Sequence, residues 1–282
     1  MKVYAMSDLH GQGELFDKAL AWMEKESYGN FLCYYLGDAI DRGPDGWRIM
    51  NYLLDHPDKF IYLKGNHEDL FVNSMKEYLQ ICDDEGYTPT EMAKRSNWDA
   101  TDIMFSGSDL MLHYRNGGEP TFSAWLKAGC PRKYIKLLSD LPVFEELTIL
   151  DGEAETPSRI YDFYHAGCRM QEWNDEDEES AIWSREHFFQ PWNGETDGVK
   201  HILVHGHTPV YHMPTHFRKE NGMKATQALR YNEGTKIDLD CACFHYGCLN
   251  LFDIGEDVFR QFWDSKHEAI IADAKQPMNK DS

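Results

Sequence analysis

Along the first third of the chain a short apolar segment, a cluster of Asp, Gly or Asn, and an amphipathic stretch recur three times in the same order. "KVYAMSD" precedes "ELFDKALAWMEKE"; "NFLCYYLGD" precedes the turn "DRGPDG" and then "WRIMNYLLD"; "KFIYLKGN" precedes "HEDLFVNSMKEYLQ". Strand-like runs alternating with stretches of helical period predict βαβ units and a substantially parallel sheet. In such sheets ligands gather at the carboxyl ends of the strands. Residues from about 68 to 140 are mostly helical in pattern, most clearly in "PRKYIKLLSDL", where Pro131 suits a first turn. This part reads as a helical insertion over the site. Five strand-like runs follow, "RIYDFYHAG", "HILVHGHTP", "TKIDLDCACF", "CLNLFDI" and "DVFRQFWD", with few helical stretches between them. They predict a second sheet, mixed or antiparallel. The expected organisation is one domain over residues 1–270 and a frayed polar tail, 271–282.

With 42% apolar residues among 282, the chain has enough material for a sizeable core. No apolar run approaches the roughly 18 residues of a spanning helix, so no membrane association is expected. The first residues lack the basic start and apolar stretch of a secretory signal, which points to the cytoplasm. Seven cysteines form no paired CxxC pattern and read as buried or free thiols. Cys241 and Cys243, two apart in an expected strand, would face one side of a sheet. A formal charge of −20 opposes a surface built for polyanions, so nucleic acid is not an expected partner. The acidic run "EWNDEDEES" reads as a solvated loop.

Five polar clusters fall where the strand-like runs end: "SDLHG" (Asp8, His10), "GDAIDRG" (Asp38, Asp41, Arg42), "GNHE" (Asn66, His67, Glu68), "HAG" (His165) and "HGHT" (His205, His207). Taken singly, Asp or Asn beside Gly is turn chemistry and a lone His is a structural one. Five such clusters at five strand ends point instead to a site. Two residues apart on an extended chain, Asp8 and His10 point to one side and can grip one ion with Asp38. A second ion would take Asn66, His165 and one histidine of "HGHT", with Asp38 bridging. Ligation by carboxylate, imidazole and amide oxygen suits manganese, iron or zinc rather than calcium.

In this order and spacing, "SDLHG", "GDAIDRGPDG" and "GNHE" resemble the metallophosphoesterase superfamily. The complete "GDxxDRG" more narrowly resembles its phosphoprotein phosphatase family, in particular the bacterial Ser/Thr phosphatases. "NGGEPT", "HAG", "WSR", "GHTPV" and "LDCACFHYGCLNLFDI" extend the likeness over nearly the whole chain. The resemblance implies an α/β metallo-dependent phosphatase fold, a β-sandwich of two mixed sheets flanked by helices, with two divalent ions, manganese first and iron or zinc as alternatives. It implies Asp8, His10 and Asp38 at one ion, and Asp38, Asn66, His165 and His207 at the other. Arg42 matches the phosphate-clamping arginine, His67 the general acid, Asp41 the carboxylate orienting it, and Arg185 a second phosphate-binding arginine. His205 is then a near neighbour and His201 structural, and Pro209 stands where nuclease-like relatives carry a further histidine. "LDCACF" departs from the pattern at Ala242, where relatives commonly have Gly.

The activity so implied is hydrolysis of phosphate monoesters by a hydroxide bridging two metal ions, with phosphoserine or phosphothreonine in a protein or peptide as substrate. Dinucleoside tetraphosphate hydrolysis, or action on small phosphoesters, is the alternative. Glu68 reads as a structural neighbour suited to a helix start, and His113, His187, His201, His212, His216, His245 and His267 show no partner pattern.

Overall fold

In the computed structural model, which describes residues 1–94, 100–105, 107–150, 157–167, 177–190, 194–196, 198–220 and 224–268, the three N-terminal repeats form as expected. Strands β1 (Lys2–Met6), β2 (Phe31–Tyr35) and β3 (Phe60–Tyr62) run parallel, each followed by a helix: α1 (Gly13–Ser27), α2 (Gly46–Asp55) and α3 (Asn66–Glu85). Strand alternation divides the side chains between two cores. Tyr4, Met6, Phe31, Cys33 and Tyr35 pack beneath the helices, whereas Ala5 and Tyr34 face the second sheet. Within α1, Leu15, Phe16, Ala19 and Met23 are buried at helical spacing. That helix ends at Tyr28, whose left-handed backbone returns its N–H to the carbonyls of Glu24 and Lys25.

Five helices follow: α4 (Pro89–Lys94), α5 (Ala100–Met104), α6 (Ser108–Arg115), α7 (Glu119–Lys127) and α8 (Lys133–Ser139). They cover the outer face of the first sheet through Trp125, Phe122 and Leu138. Pro131 precedes the capping residue Arg132 and so lies outside the first turn of α8, where its missing N–H also costs nothing.

The second sheet is built from β4 (Phe144–Leu150), β5 (Pro157–Tyr164), β6 (Glu195–Thr196), β7 (Val199–His205), β8 (Leu229–Tyr231) and β9 (Lys236–Asp238). Its main order is β4-β5-β7-β9-β8, with β5, β7 and β9 parallel and the other pairings antiparallel, a mixed sheet. Short helices α9 (Glu178–Trp183), α10 (Glu186–Phe189), α11 (Thr215–Glu220) and α12 (Cys243–Tyr246) lie between its strands or after them. Tyr161, Phe163, Ile202, Val204 and Ile237 meet the first sheet across the sandwich, and Tyr34 stacks on Phe163 with ring centroids 4.0 Å apart.

The structure corrects two expectations. The last strands, β10 (Cys248–Asp253) and β11 (Val258–Trp263), join the first sheet, β10 pairing antiparallel with β1. An antiparallel neighbour closes the exposed edge of β1, which no local pattern announces. The run "TKIDLDCACF" is strand only to Asp238; Cys241 lies in a loop and Cys243 opens α12, so their thiols share no sheet face. The six described cysteines are buried free thiols. Most of the acidic run, residues 172–176, and the tail 271–282 lie outside the described residues.

Candidate metal centre

Six strands end at one place. Asp8 and His10 follow β1, Asp38 to Arg42 follow β2, Asn66 and His67 open α3 after β3, and His165, His207 and Asp240 follow β5, β7 and β9. Their loops reverse so abruptly that Asp8, His10, Asp38, Asp41, Arg42 and His207 all have left-handed backbone, with φ between 45° and 69°. Such residues cost of order 1–3 kcal/mol each and persist where surrounding contacts hold them. Here those contacts are visible. Glu68 accepts from the backbone N–H groups of Asp38 (2.8 Å), Ala39 (3.0 Å) and Gly65 (2.9 Å) and from the Tyr62 hydroxyl (2.7 Å). Its carboxylate thus ties the β2 loop to the start of α3.

Two sets of donor atoms, each within 4.8 Å of one another, share Asp38: His10, Asp38 and His67, and Asp38, His165 and His207. Oδ2 of Asp38 faces Nε2 of His10 at 3.5 Å and of His67 at 3.8 Å, while Oδ1 faces Nε2 of His165 at 3.4 Å. Asn66 Oδ1 lies 2.9 Å from His165 Nε2 and 3.0 Å from His207 Nδ1. Asp8 stands beside both sets without belonging to either. Its carboxylate accepts the His207 N–H at 3.1–3.2 Å and the hydroxyl of Ser7.

The protonation states argue for a cation. Burial pushes the His165 imidazole down to about 3, so the ring is neutral and carries one N–H. That proton serves the Leu36 carbonyl from Nδ1 at 2.6 Å. The Nε2 lone pair then faces the oxygens of Asn66 and Asp38, acceptors against an acceptor, an arrangement that repels unless positive charge sits among them. Burial also lowers His10 and His207, and the neighbouring His67 and His165 respectively lower them further. The carboxyls of Asp8 and Asp38 go the other way: burial, then Asp240 against the first and Asp8 against the second, raises both well above the usual range. His207 Nε2 is buried without a hydrogen-bond partner among the described residues. A buried set of oxygen and imidazole donors short of positive charge is what divalent cations bind. The guanidinium of Arg42 already answers part of this demand, donating to Nε2 of His10 (2.8 Å) and of His67 (2.9 Å).

The donors line a cleft of about 350 Å³ that is also lined by Asn116, Trp183, Arg185, Tyr211 and the buried Asp240. Arg185 is exposed there, beside α10. His67 Nδ1 donates to Asp41 Oδ2 at 2.8 Å, and His113 Nε2 meets the same oxygen at 2.8 Å. Burial alone would raise Asp41, but His113 and His67 hold it well below the usual carboxylate range.

The three histidines of "HILVHGHT" separate as the strand reading implies: Ile202 and Val204 enter the sandwich, and His201 and His205 take the other face. His201 pairs with Asp162 at 2.8 Å, and His205 bonds the Tyr231 hydroxyl at 2.9 Å. Only His207, past the end of β7, reaches the donor sets. Sequence reasoning missed His113 and Asp240. His113 precedes "NGGEPT" on a helix with no chemical pattern of its own, and Asp240 was hidden in an expected strand.

A family model described as calcineurin-like phosphoesterase matches residues 1–242. Two curated proteins from strains of Buchnera aphidicola subsp. Acyrthosiphon pisum, each named "Bis(5'-nucleosyl)-tetraphosphatase, symmetrical", are 30% identical over 107 residues, 35% of this chain and 37% of theirs. The matched region therefore spans little more than a third of those relatives. Among solved structures, one described as "Crystal structure of a putative diadenosine tetraphosphatase" covers 94% of this chain, and 95% of its own is covered, with a TM-score of 0.55 at 15% identity. A hypothetical protein from Pyrococcus horikoshii OT3 gives 0.50 at 13% identity, with 98% and 94% covered. At such identities these two speak for the fold alone.

Proposed function

The chain belongs to the calcineurin-like phosphoesterase family, and on that premise we propose that it hydrolyses phosphate monoesters, with phosphoserine or phosphothreonine of a protein or peptide as its substrate. The observation that carries this choice is the buried Asp41–His67 pair, whose imidazole lines the cleft among the donor atoms. A serine or threonine alkoxide is a strongly basic leaving group and needs a proton as the P–O bond breaks. A nucleotide phosphate is a far weaker base and gains little from such an acid.

In this reading Asp8, His10 and Asp38 would hold one ion, Asp8 by exchanging its contacts with Ser7 and the His207 N–H for the cation. Asp38, Asn66, His165 and His207 hold the other, and manganese is the expected occupant of both. When bound, the ions supply Lewis acidity and lower the pKa of coordinated water toward neutrality. The chain's own groups do the rest. Asp41 fixes His67 with its proton on Nδ1, which turns Nε2 toward the cleft, where a second proton can pass to the leaving oxygen. Arg42 exchanges its two imidazole partners for the phosphate oxygens, which its planar fork suits better than a lysine would. Arg185 approaches from the rim. Replacing His67 by Asn should slow a phosphoserine peptide about 100-fold or more, while p-nitrophenyl phosphate, whose nitrophenolate departs without a proton, changes far less.

A second reading, symmetrical cleavage of dinucleoside tetraphosphates, draws on the names of the Buchnera aphidicola relatives. Metal-stripped protein re-supplied with manganese, assayed on a phosphoserine peptide, a phosphotyrosine peptide and diadenosine tetraphosphate, decides between the two. Preference for the tetraphosphate would overturn the first.

A further inference from the structure

Three contacts tie the helices after α3 to the Asp41–Arg42 turn. The N–H of Arg42 donates to the Gly117 carbonyl at 2.8 Å, the N–H of Asp41 donates to Thr121 Oγ1 at 2.9 Å, and His113 Nε2 lies 2.8 Å from Asp41 Oδ2. The motif "NGGEPT" is what makes them possible. Gly117 adopts φ +91° against the Arg42 side chain, and a Cβ at Gly118 would stand 2.2 Å from the His113 ring. That ring is fully buried and leans on Phe71 with centroids 5.6 Å apart.

Asp41 is equally buried, and one of its oxygens receives both imidazoles while Oδ1 has no partner among the described residues. A carboxylate held by one donor can turn about its Cβ–Cγ bond and carry that donor with it. Two donors reaching one oxygen from different elements, α3 and α6, fix the torsion. The buried, unpaired Oδ1 would otherwise favour rotation toward a new donor. We propose that His113 is a positioning residue: by donating from Nε2 it locks the Asp41 carboxylate, and through it the direction in which His67 presents its proton. The inference rests on His67 acting as the general acid, and it gives the helical insertion a task at the reaction centre.

The test compares kcat on a phosphoserine peptide with kcat on p-nitrophenyl phosphate, using the manganese-loaded full chain. His113→Phe keeps a ring against Phe71 without a donor and should lower the alkyl-to-aryl ratio about 10- to 100-fold with KM little changed. His113→Gln restores a donor and should recover most of the ratio, so the pair remains informative even if His113→Ala fails to fold. Combined with His67→Asn, His113→Phe should add nothing further, because both act through one proton. Equal losses on the two substrates, or effects that multiply in the double variant, overturn the inference while His67→Asn still depresses the ratio. An unchanged ratio in His67→Asn itself overturns the general-acid reading, and the inference falls with it.

Discussion

At the scale of single residues, burial without countercharge is the recurring theme. Asp162 illustrates it away from the metal centre. Burial pushes its carboxyl up to about 6, and the His201 hydrogen bond only partly offsets this. Because the folded-state value lies above the unfolded one, protonation favours the native protein, and stability is lost as pH rises from about 4 through 6. Asp162→Asn should flatten this segment of the pH–stability curve, a relative gain on the order of 3 kcal/mol by pH 7. Urea titrations of both proteins at pH 4 and pH 7 measure it, and parallel curves would refute it. Among the histidines, His207→Ala should lower the manganese bound per chain. His201→Ala should leave it unchanged, as elemental analysis of the purified proteins can establish.

At the scale of elements, the loops decide more than the strands they join. Ala242 holds φ +55° at the start of α12, a left-handed conformation that glycine adopts without steric cost. A left-handed alanine costs roughly 1–2 kcal/mol, partly offset by the greater freedom glycine has when unfolded. Ala242→Gly should therefore stabilise the protein by up to about 1 kcal/mol, read from thermal melts; a drop in stability would show that the strain is compensated locally. The loop from α6 to α7 works in the opposite direction, since its glycines are needed for room. Gly118→Ala places a methyl group into the His113 ring and should reduce phosphoserine turnover more than p-nitrophenyl phosphate turnover.

At the scale of the whole molecule, two sheets must be clamped together for the centre to exist, because Asp38 belongs to one and His165 and His207 to the other. The clamp is the apolar layer between them. Phe163→Ala, which removes the ring stacked on Tyr34, should cost about 3–5 kcal/mol and weaken metal affinity with it. Conversely, divalent ions that bind only the folded chain should stabilise it by mass action, by about 2.7 kcal/mol per site at a hundredfold excess over Kd. Asp38→Asn should abolish most of the manganese-dependent rise in Tm, since that carboxylate faces both donor sets. A full rise in the variant would dismiss the shared-carboxylate arrangement.

The sequence by itself determined the βαβ repeats, the mixed second sheet and the polar clusters at the strand ends, because apolar period and turn chemistry are set by residues a few positions apart. The strand reading set His201 and His205 on one face and His207 at the turn beyond them, while the choice of His207 as a ligand came from the family resemblance of "GHT". Only the tertiary structure decided that β10 and β11 return to the first sheet, that Glu68 staples two loops, and that Asp8 leans on His207 rather than standing within either donor set. It alone brought His113 to Asp41, 72 residues away. Such partnerships depend on how elements pack, and a buried imidazole on a helix carries no local sign of the carboxylate it will meet.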